Sequence, residues 1–421
     1  MSADSGIKPV DSGKLIQDAL DLVNIDSPTG REAEVGEAYA SKLRALGMKV
    51  VLQEVEQARF NVLATLRGDK ADGATLMFNG HLDTSFAASE DPQILKAISP
   101  FYQSQPPWGR IDGDWLYGSG AFNMKSALAA YACAVRTLQD SNAKLSGDVV
   151  IAGVVGEIEK TQIDQYKGPQ FRGYGHGTAY LVSHGGTADA AILGEPTGLR
   201  LMRAHGGSCW FRIGLKGALV HTGHSVGVKN VILQMNRVVS ALEAWIPNYQ
   251  EKYSFMGAKP TVNIGSVEGG WPWRASRTPA FCNLYVDVRF PPRYHPLDIK
   301  QEICGVLDKV RQESGVISDL DLYVTDQWSE LDSSEYICKS INEAHTTVFG
   351  TSVETVYFSW SSDANILTRQ GVKAVNYGPS GGPGKETRST MYIPNLVNCA
   401  KVYTLVANDV CSKTRNQIRT R

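Results

Sequence analysis

The chain is organised around the sequence NGHLDT at residues 79–84, which follows the apolar run ATLMF at residues 74–78. Such an apolar run predicts a buried strand. His81 and Asp83 have one residue between them, so in an extended chain their side chains point the same way. At the carboxyl edge of a sheet the imidazole can bind a metal ion, while the carboxylate orients the imidazole or a bound water. A strand-end histidine paired with an ordinary carboxylate is the alternative interpretation.

Length and composition predict a globular enzyme of two domains. The chain has 421 residues, 43% hydrophobic and 20% charged, which is too long for one ordinary core. The net charge of −1 gives no reason to expect nucleic acid or a membrane surface as a partner. The seven cysteines are scattered and form no CxxC pair, which predicts a reducing compartment. With neither a signal-peptide pattern nor a run of 18 apolar residues in view, we expect a cytoplasmic protein.

Two further apolar strands end in acidic residues. Residues 148–155 lead into GEIE at 156–159, and residues 190–193 lead into GEPT at 194–197. Between NGHLDT and these strands, YGSGAFNMK at 117–125 opens an alanine-rich helix over 126–138 but lacks the Walker pattern of a phosphate loop. Three strand ends that can bind a metal or move a proton form a constellation rather than a lone motif.

The pattern changes near residue 206, where strands and helices follow the order β-α-β-β-α-β through residue 325. That order is typical of a ferredoxin-like module. We therefore predict a catalytic domain formed by residues 1–205 and 329–421, with an inserted lid domain at residues 206–328.

Together these landmarks resemble the aminoacylase, carboxypeptidase G and succinyl-diaminopimelate desuccinylase family of co-catalytic metallohydrolases. The shared segments are SPTG at 27–30, FNV at 60–62, GHLD at 80–83, GSGA at 118–121, EPT at 195–197, the glycine and histidine of GALVH at 217–221, NIG at 263–265 with GG at 269–270, the aspartate and arginine of DVR at 287–289, and GP at 378–379. The resemblance implies an α/β fold, in which a zinc-exopeptidase-like catalytic domain with a mixed sheet flanked by helices carries a ferredoxin-like α+β lid. It also implies a homodimer, or a higher homo-oligomer, assembled through the lid.

The family's first metal site maps onto residues that are present here. Its histidine and carboxylate ligands match His81 and Glu195, and its general base matches Glu157. Its bridging aspartate falls at Asn123, which is a neutral oxygen donor.

The family's second metal site maps onto residues that do not bind metals. One ligand falls at Ile158 and the last near Lys385-Glu386, with no histidine following. Since two neighbouring dications need several carboxylates, we predict one divalent transition metal per protomer, Mn²⁺ or Zn²⁺. Glu159 and Glu386 are alternative substitute ligands, and solvated surface carboxylates are the simpler interpretation of both.

A mechanism follows from the matched residues. Glu157 is predicted to accept a proton from an activated water and pass it to the leaving nitrogen, while Asp83 orients His81. The resemblance implies that His221 on the lid stabilises the developing oxyanion. His224, three residues later, either shares that work or is an ordinary exposed loop residue.

The segment GGWPWRASRTP at residues 269–279 departs from the family pattern and bears on the substrate. Trp271 and Trp273 can stack on a flat ring, and Arg277 can pair with a carboxylate, so we predict a small anionic aromatic substrate. Arg289 belongs to the DVR segment that matches the family, and it is also assigned to substrate binding. Tryptophans that only pack the lid core are the alternative.

A mononuclear site with an aromatic pocket resembles an atypical branch of the family, similar to 5-nitroanthranilate aminohydrolase, in which water displaces an aromatic amino group. Amide hydrolysis of an N-acyl amino acid, or exopeptidase activity, is the enzymatic alternative. A non-catalytic binding protein with a degenerate metal site is the third.

Overall fold

The computed structural model describes residues 6–87, 109–381 and 390–419. The chain divides into two compact units. The first contains residues up to Arg203, Leu331–Val356 and the residues from Ser362 onward, and the second contains Ala204–Glu330 and Tyr357–Ser361. The helices and strands of both units are numbered below in chain order.

The strands are β1 (Lys49–Glu56), β2 (Arg59–Leu66), β3 (Leu76–His81), β4 (Arg110–Asp112), β5 (Trp115–Tyr117), β6 (Val149–Val154), β7 (Ala190–Leu193), β8 (Leu201–His205), β9 (Gly207–Lys216), β10 (Val262–Gly269), β11 (Phe281–Phe290), β12 (Asp319–Asp326), β13 (Ser329–Glu330), β14 (Thr355–Phe358), β15 (Lys373–Asn376) and β16 (Thr390–Tyr392). The α-helices are α1 (Ser12–Val23), α2 (Ala33–Ala45), α3 (Lys125–Asp140), α4 (His176–Ser183), α5 (Val231–Lys252), α6 (Pro296–Ser314), α7 (Tyr336–Phe349), α8 (Ala364–Arg369), α9 (Ile393–Cys411) and α10 (Arg415–Ile418).

The first unit is built on a mixed sheet with the strand order β1-β2-β6-β3-β7-β15-β8. Strands β6, β3, β7 and β15 run parallel, and β2 and β8 pair with this central group in the antiparallel direction. Parallel strands bring their carboxyl ends to one edge of a sheet. Because β3 lies between β6 and β7, the segments that follow these three strands meet at that edge.

The sheet is covered by helices on both faces, which explains why its central strands are largely apolar. Every residue of β3 and β6 is buried. Leu76 and Phe78 pack into a core cluster with residues of α1, α3 and α9, and the intervening Met77 packs into a second cluster with Leu181 and Leu367. The two-residue period of a strand thus sends alternate side chains into two separate cores.

The second unit is an antiparallel sheet with the strand order β10-β11-β9-β12 and two long helices, α5 and α6. Phe211 and Ile213 of β9 form one core cluster with Val238 of α5 and Ile303 of α6. The chain order β9-α5-β10-β11-α6-β12 is that of the predicted ferredoxin-like module. The predicted fold class is confirmed. Within the described residues, no helix combines the length and apolar composition that crossing a membrane requires.

Candidate active site

Three functional side chains meet at the carboxyl edge of the first unit's sheet. His81 is the last residue of β3, Glu157 follows β6, and Glu195 follows β7. His81 Nε2 lies 3.7 Å from Glu157 Oε2 and 3.9 Å from Glu195 Oε1. Their ligand atoms all lie within 4.8 Å of one another. The strand order alone explains this convergence of residues far apart in the chain.

Asn123 joins this group from the turn before α3. Its Oδ1 lies 3.0 Å from His81 Nε2. A Cβ at residue 80 would lie only 2.6 Å from the Cε of Met124, the residue after Asn123. The glycine in GHLD thus leaves room for the methionine side chain next to Asn123.

The ring of His81 is fixed on its other side by Asp83. Its Nδ1 lies 2.8 Å from the main-chain oxygen of Asp83 and 3.6 Å from the carboxylate of the same residue. A carbonyl oxygen only accepts, so Nδ1 carries a hydrogen and Nε2 is directed toward Asn123, Glu157 and Glu195. The backbone of Asp83 is thus the nearer partner of the imidazole.

The carboxylate of Asp83 serves a different set of groups. It is fully buried and accepts hydrogen bonds from the hydroxyl of Thr29 at 2.8 Å, the N–H of Glu157 at 3.1 Å and the N–H of Ile158 at 3.2 Å. One side chain therefore holds both the turn that carries Glu157 and the SPTG segment.

Negative charge is concentrated at this edge. Burial raises the pKa of Glu157 well above its usual range, and repulsion from Glu195, Asp363 and Asp83 adds to this. Burial also raises the pKa of Glu195, although the charge of His81 opposes the change. The pKa of His81 is raised because Glu195 and Asp83 outweigh the opposing effect of its burial. A cation bound among these groups would relieve their repulsion.

His81, Asn123 and Glu195 offer donor atoms that fit a divalent metal ion, with Glu157 beside them. Ligand atoms about 2.0–2.2 Å from one ion in a tetrahedral arrangement are separated by roughly 3.4 Å. The oxygens of Asn123 and Glu195 lie 3.0 and 3.9 Å from His81 Nε2, on either side of that value, and the Glu157 oxygen lies 3.7 Å away. One imidazole with carboxylate and amide oxygens suits Mn²⁺ or Zn²⁺ better than metals that prefer thiolates.

Among the described residues, the positions that match the family's second metal site supply no carboxylate ligand. Ile158 is half-buried, and its N–H donates to Asp83. Glu159 is exposed and stands outside the His81, Glu157 and Glu195 group, although its charge helps to raise the pKa of both other glutamates. Lys385 and Glu386 lie outside the described residues.

The predicted lid residues lie in the second unit, where two of them are adjacent. His221 and Arg277 form an antiparallel bridge between their segments. His221 Nδ1 accepts a hydrogen bond from the N–H of Gly223 at 3.1 Å, which places the hydrogen of a neutral ring on Nε2. The ring of His224 is 6.2 Å from that of His221. Both histidines are exposed.

The other predicted substrate residues differ in their surroundings. Trp271 is 36% exposed and Trp273 is 77% exposed, with their rings 6.3 Å apart, so Trp273 does not pack in the lid core. Arg289 is buried, and its guanidinium lies 2.8 Å from the carboxylate of Asp287. Ser208 also donates to that carboxylate, so Arg289 is engaged in the interior of the unit.

Sequence reasoning missed several polar contacts around Glu157. The Thr29 hydroxyl donates to Asp83, and Glu32, three residues later, pairs with Arg59 rather than with the start of α2. Asp363, which contributes to the raised pKa of Glu157, accepts a hydrogen bond from Thr178 at 2.5 Å. No local motif marks Asp363, whereas Thr29 belongs to the SPTG segment of the resemblance.

The fold and the site are those of a metal-dependent hydrolase. Residues 77–409 match the model of the peptidase family M20/M25/M40, and the chain belongs to this family of metal-dependent hydrolases. The family predicted from the sequence is therefore confirmed.

Two relatives of the chain carry acyl-removing activities in their names. The chain is 25% identical over 331 residues to N-formyl-4-amino-5-aminomethyl-2-methylpyrimidine deformylase of Bacillus subtilis, covering 74% of this chain and 69% of the relative. It is 29% identical over 280 residues to acetylornithine deacetylase of Yersinia pseudotuberculosis, covering 63% and 64% of the two chains. The crystal structure of human carnosine dipeptidase 1 superposes with a TM-score of 0.73 at 14% identity, covering 96% of this chain and 97% of that one. At this identity the structural likeness shows the fold alone.

Proposed function

We propose that this chain is an amide hydrolase that works with one divalent metal ion, Mn²⁺ or Zn²⁺, held by His81, Glu195 and Asn123. The observation that carries the proposal is the position of His81 Nε2, with Asn123, Glu157 and Glu195 oxygens at 3.0, 3.7 and 3.9 Å. Asn123 replaces an anionic oxygen with a neutral one, and Ile158 supplies no donor side chain. Among the described residues, the positions that match the second metal site of the family thus supply no anionic ligand for a second dication.

The residues of the site take distinct roles in this proposal. A divalent ion at such a site supplies Lewis acidity, which lowers the pKa of water. Glu157 is half-buried beside the ligands and accepts the proton of the attacking water, then delivers it to the leaving nitrogen. Asp83 fixes His81 through its main-chain oxygen and the Glu157 turn through its carboxylate. Stabilisation of the developing oxyanion stays a prediction for His221 of the second unit.

The substrate class follows from the relatives that are named above. A deformylase and a deacetylase each remove a small acyl group from nitrogen, which supports hydrolysis of a small N-acylated amine or amino acid as the reaction of this chain. The alignments cover about two thirds of these relatives, so the choice of acyl group belongs to the proposal.

A second candidate function is displacement of an amino group from an anionic aromatic ring. The exposure of Trp271 and Trp273 favours it, because exposed indole rings are available for stacking. His221 and Arg277, paired on the same unit, would supply a hydrogen-bond donor and a carboxylate partner. The named relatives give this reaction no support.

Assembly through the lid is also part of the proposal. Strand β10 lies at an edge of the second unit's sheet, and its Val267 is 62% exposed. An edge strand with exposed apolar side chains is suited to pairing with another strand. Sedimentation equilibrium measures the mass of the assembly, and a monomer at all concentrations would contradict this part.

Metal stoichiometry tests the main proposal. Equilibrium dialysis against Mn²⁺ and against Zn²⁺, with metal quantified per protomer, is expected to give one ion, lost in the His81→Ala variant. Turnover is then sought with N-formyl and N-acetyl amino acids alongside aromatic amines. Two ions per protomer would contradict the single-metal site, and no ion with no turnover would favour a binding protein.

A further inference from the structure

The buried ion pair between Arg59 and Glu32 lies directly behind the turn that carries Glu157. Arg59 is 1% exposed and Glu32 is fully buried. Arg59 Nε donates to Glu32 Oε2 at 2.9 Å, and its Nη2 donates to Glu32 Oε1 at 2.6 Å. This is a bidentate pair, in which the planar guanidinium has only one orientation.

The third nitrogen of the guanidinium, Nη1, binds the segment that follows Glu157. Arg59 Nη1 donates to the main-chain oxygen of Pro169 at 3.3 Å and to that of Arg172 at 3.2 Å. It also donates to Glu56 at 2.5 Å. A single buried cation thus binds two acidic side chains and two carbonyl groups of a loop that returns toward Glu157.

Gly156, the residue before Glu157, packs against these groups. Its φ is +65°, and a Cβ there would lie 2.5 Å from the Arg172 oxygen and 2.7 Å from Arg59 Nη2. The N–H of His176 also donates to the Gly156 carbonyl at 3.0 Å. The backbone at Gly156 therefore rests against the guanidinium and the carbonyl that the guanidinium binds.

On the opposite side, Asp83 holds the same turn through the N–H groups of Glu157 and Ile158, at 3.1 and 3.2 Å. The Asp83 carboxylate thus accepts hydrogen bonds from the N–H groups of the turn. The Arg59 guanidinium donates hydrogen bonds to the carbonyl groups of the loop packed behind the turn. Two fixed partners of opposite charge leave the Glu157 backbone little freedom to move.

We propose that Arg59 is a positioning residue, which together with Glu32 sets the place of the Glu157 carboxylate relative to His81. The proposal deepens the function proposed above and rests on Glu157 being the general base. Lysine keeps the charge but has no planar fork, so it cannot bind Glu32 and two carbonyls in one plane. Loss of the fork is expected to misplace Glu157 without removing any ligand of the metal.

The test compares Arg59→Met and Arg59→Lys with Arg136→Met. Arg136 is a matched control, because it pairs with the buried Asp18 at 2.9 Å rather than with the Glu157 turn. The first readout is hydrogen–deuterium exchange of the peptide containing the Glu157 and Ile158 amides, which does not depend on activity. We expect faster exchange there in both Arg59 variants and none of this change in Arg136→Met.

The second readout is kinetic, with Mn²⁺-loaded protein and the N-acyl substrate that the wild type hydrolyses best. We expect kcat to fall roughly 10²-fold in Arg59→Met, because a shift near 1 Å in a reacting group has an effect of that size. KM and the Mn²⁺ affinity are expected to stay close to those of the wild type. Arg59→Lys provides the same comparison if the methionine variant does not fold.

Unchanged exchange at Glu157 and Ile158 in folded Arg59 variants would overturn the proposal. Equal acceleration in Arg136→Met would overturn it as well, because general loss of stability would then explain the effect. A wild type that binds metal but hydrolyses no amide would instead sink the proposed function, and the exchange comparison would still decide the role of Arg59.

Discussion

The main-chain N–H of Glu157 donates to the carboxylate of Asp83 over 3.1 Å. The backbone carbonyl oxygen of the same aspartate lies 2.8 Å from His81 Nδ1. One residue thus orients the proposed metal ligand with its main chain and the proposed base with its side chain. The short HLD sequence accordingly fixes the distance between two functional groups that come from different strands.

Glu157→Gln is expected to abolish turnover while leaving metal binding nearly intact. The amide keeps the size of the side chain but cannot accept a proton, and loss of such a base lowers kcat by roughly 10²–10⁴-fold. Steady-state kinetics and equilibrium dialysis on the same preparation check both parts. Retained turnover would refute the base assignment, and lost metal would make Glu157 a ligand instead.

His81→Ala is expected to remove both metal and turnover, since Asn123, Glu157 and Glu195 all face its Nε2. His184→Ala is the control. That exposed histidine stacks on Tyr180 with ring centroids 3.7 Å apart and has no place in the site. Metal content by mass spectrometry separates the two variants. A His81 variant that keeps a full complement of metal would contradict the site.

Much of the site follows from the sequence, because strand patterns carry positional information. Three apolar runs ending in His81, Glu157 and Glu195 predict one sheet edge, since parallel strands end together. The order β6-β3-β7 then brings the three residues together. The position of Asn123 in the site follows from the resemblance rather than from a strand pattern, and its Oδ1 lies 3.0 Å from His81 Nε2.

The supporting contacts could not be predicted in this way. Thr29 matches a capping-box pattern, yet its hydroxyl donates to Asp83, 54 residues later in the chain. Glu32 pairs with Arg59 instead of closing the box. Local patterns favour local partners, and a buried charge selects whichever partner the tertiary fold brings to it.

Asp83→Asn is expected to destabilise the fold by about 1–3 kcal/mol. The Asp83 carboxylate accepts three hydrogen bonds, and in the variant one of the three donor groups would face the N–H of the new amide. Thr29→Val removes only one of those donors and is expected to lower the free energy of unfolding by about 1 kcal/mol. Urea denaturation of both variants measures the difference. A larger loss in Thr29→Val would mean that the hydroxyl, rather than the two backbone amides, is the critical partner of Asp83.

The buried ion pairs of Asp18 predict how the stability of the fold depends on pH. Its carboxylate is 1% exposed and lies 2.9 Å from both Lys42 and Arg136. Burial by itself raises the pKa of Asp18, but the hydrogen bonds of Lys42 and Arg136 outweigh burial and the pKa is lowered. A lowered folded-state pKa contributes stability above the unfolded value near 3.9, which is lost as the pH falls through the folded value.

Asp18→Asn is therefore expected to be about 3 kcal/mol less stable than the wild type at pH 7. The difference is expected to shrink as the pH falls below about 4, because the carboxylate of the unfolded chain takes up a proton there before that of the folded protein does. Denaturant melts between pH 3 and pH 7 measure it. A difference that stays constant over this range would show that Asp18 stabilises the fold through packing rather than charge.

Gly156→Ala and Gly47→Ala separate backbone strain from crowding beside Glu157. The two glycines have similar φ values, +65° and +70°, but only Gly156 is crowded, since a Cβ at Gly47 would meet nothing within 4 Å. Gly47→Ala is expected to lower the free energy of unfolding by about 1 kcal/mol, from the left-handed backbone alone. Gly156→Ala is expected to lower it by about 2–4 kcal/mol, because the added carbon also displaces the Arg172 carbonyl or the Arg59 guanidinium. Equal losses in urea denaturation would mean that the loop behind Glu157 yields easily, which would contradict a turn held firmly from both sides.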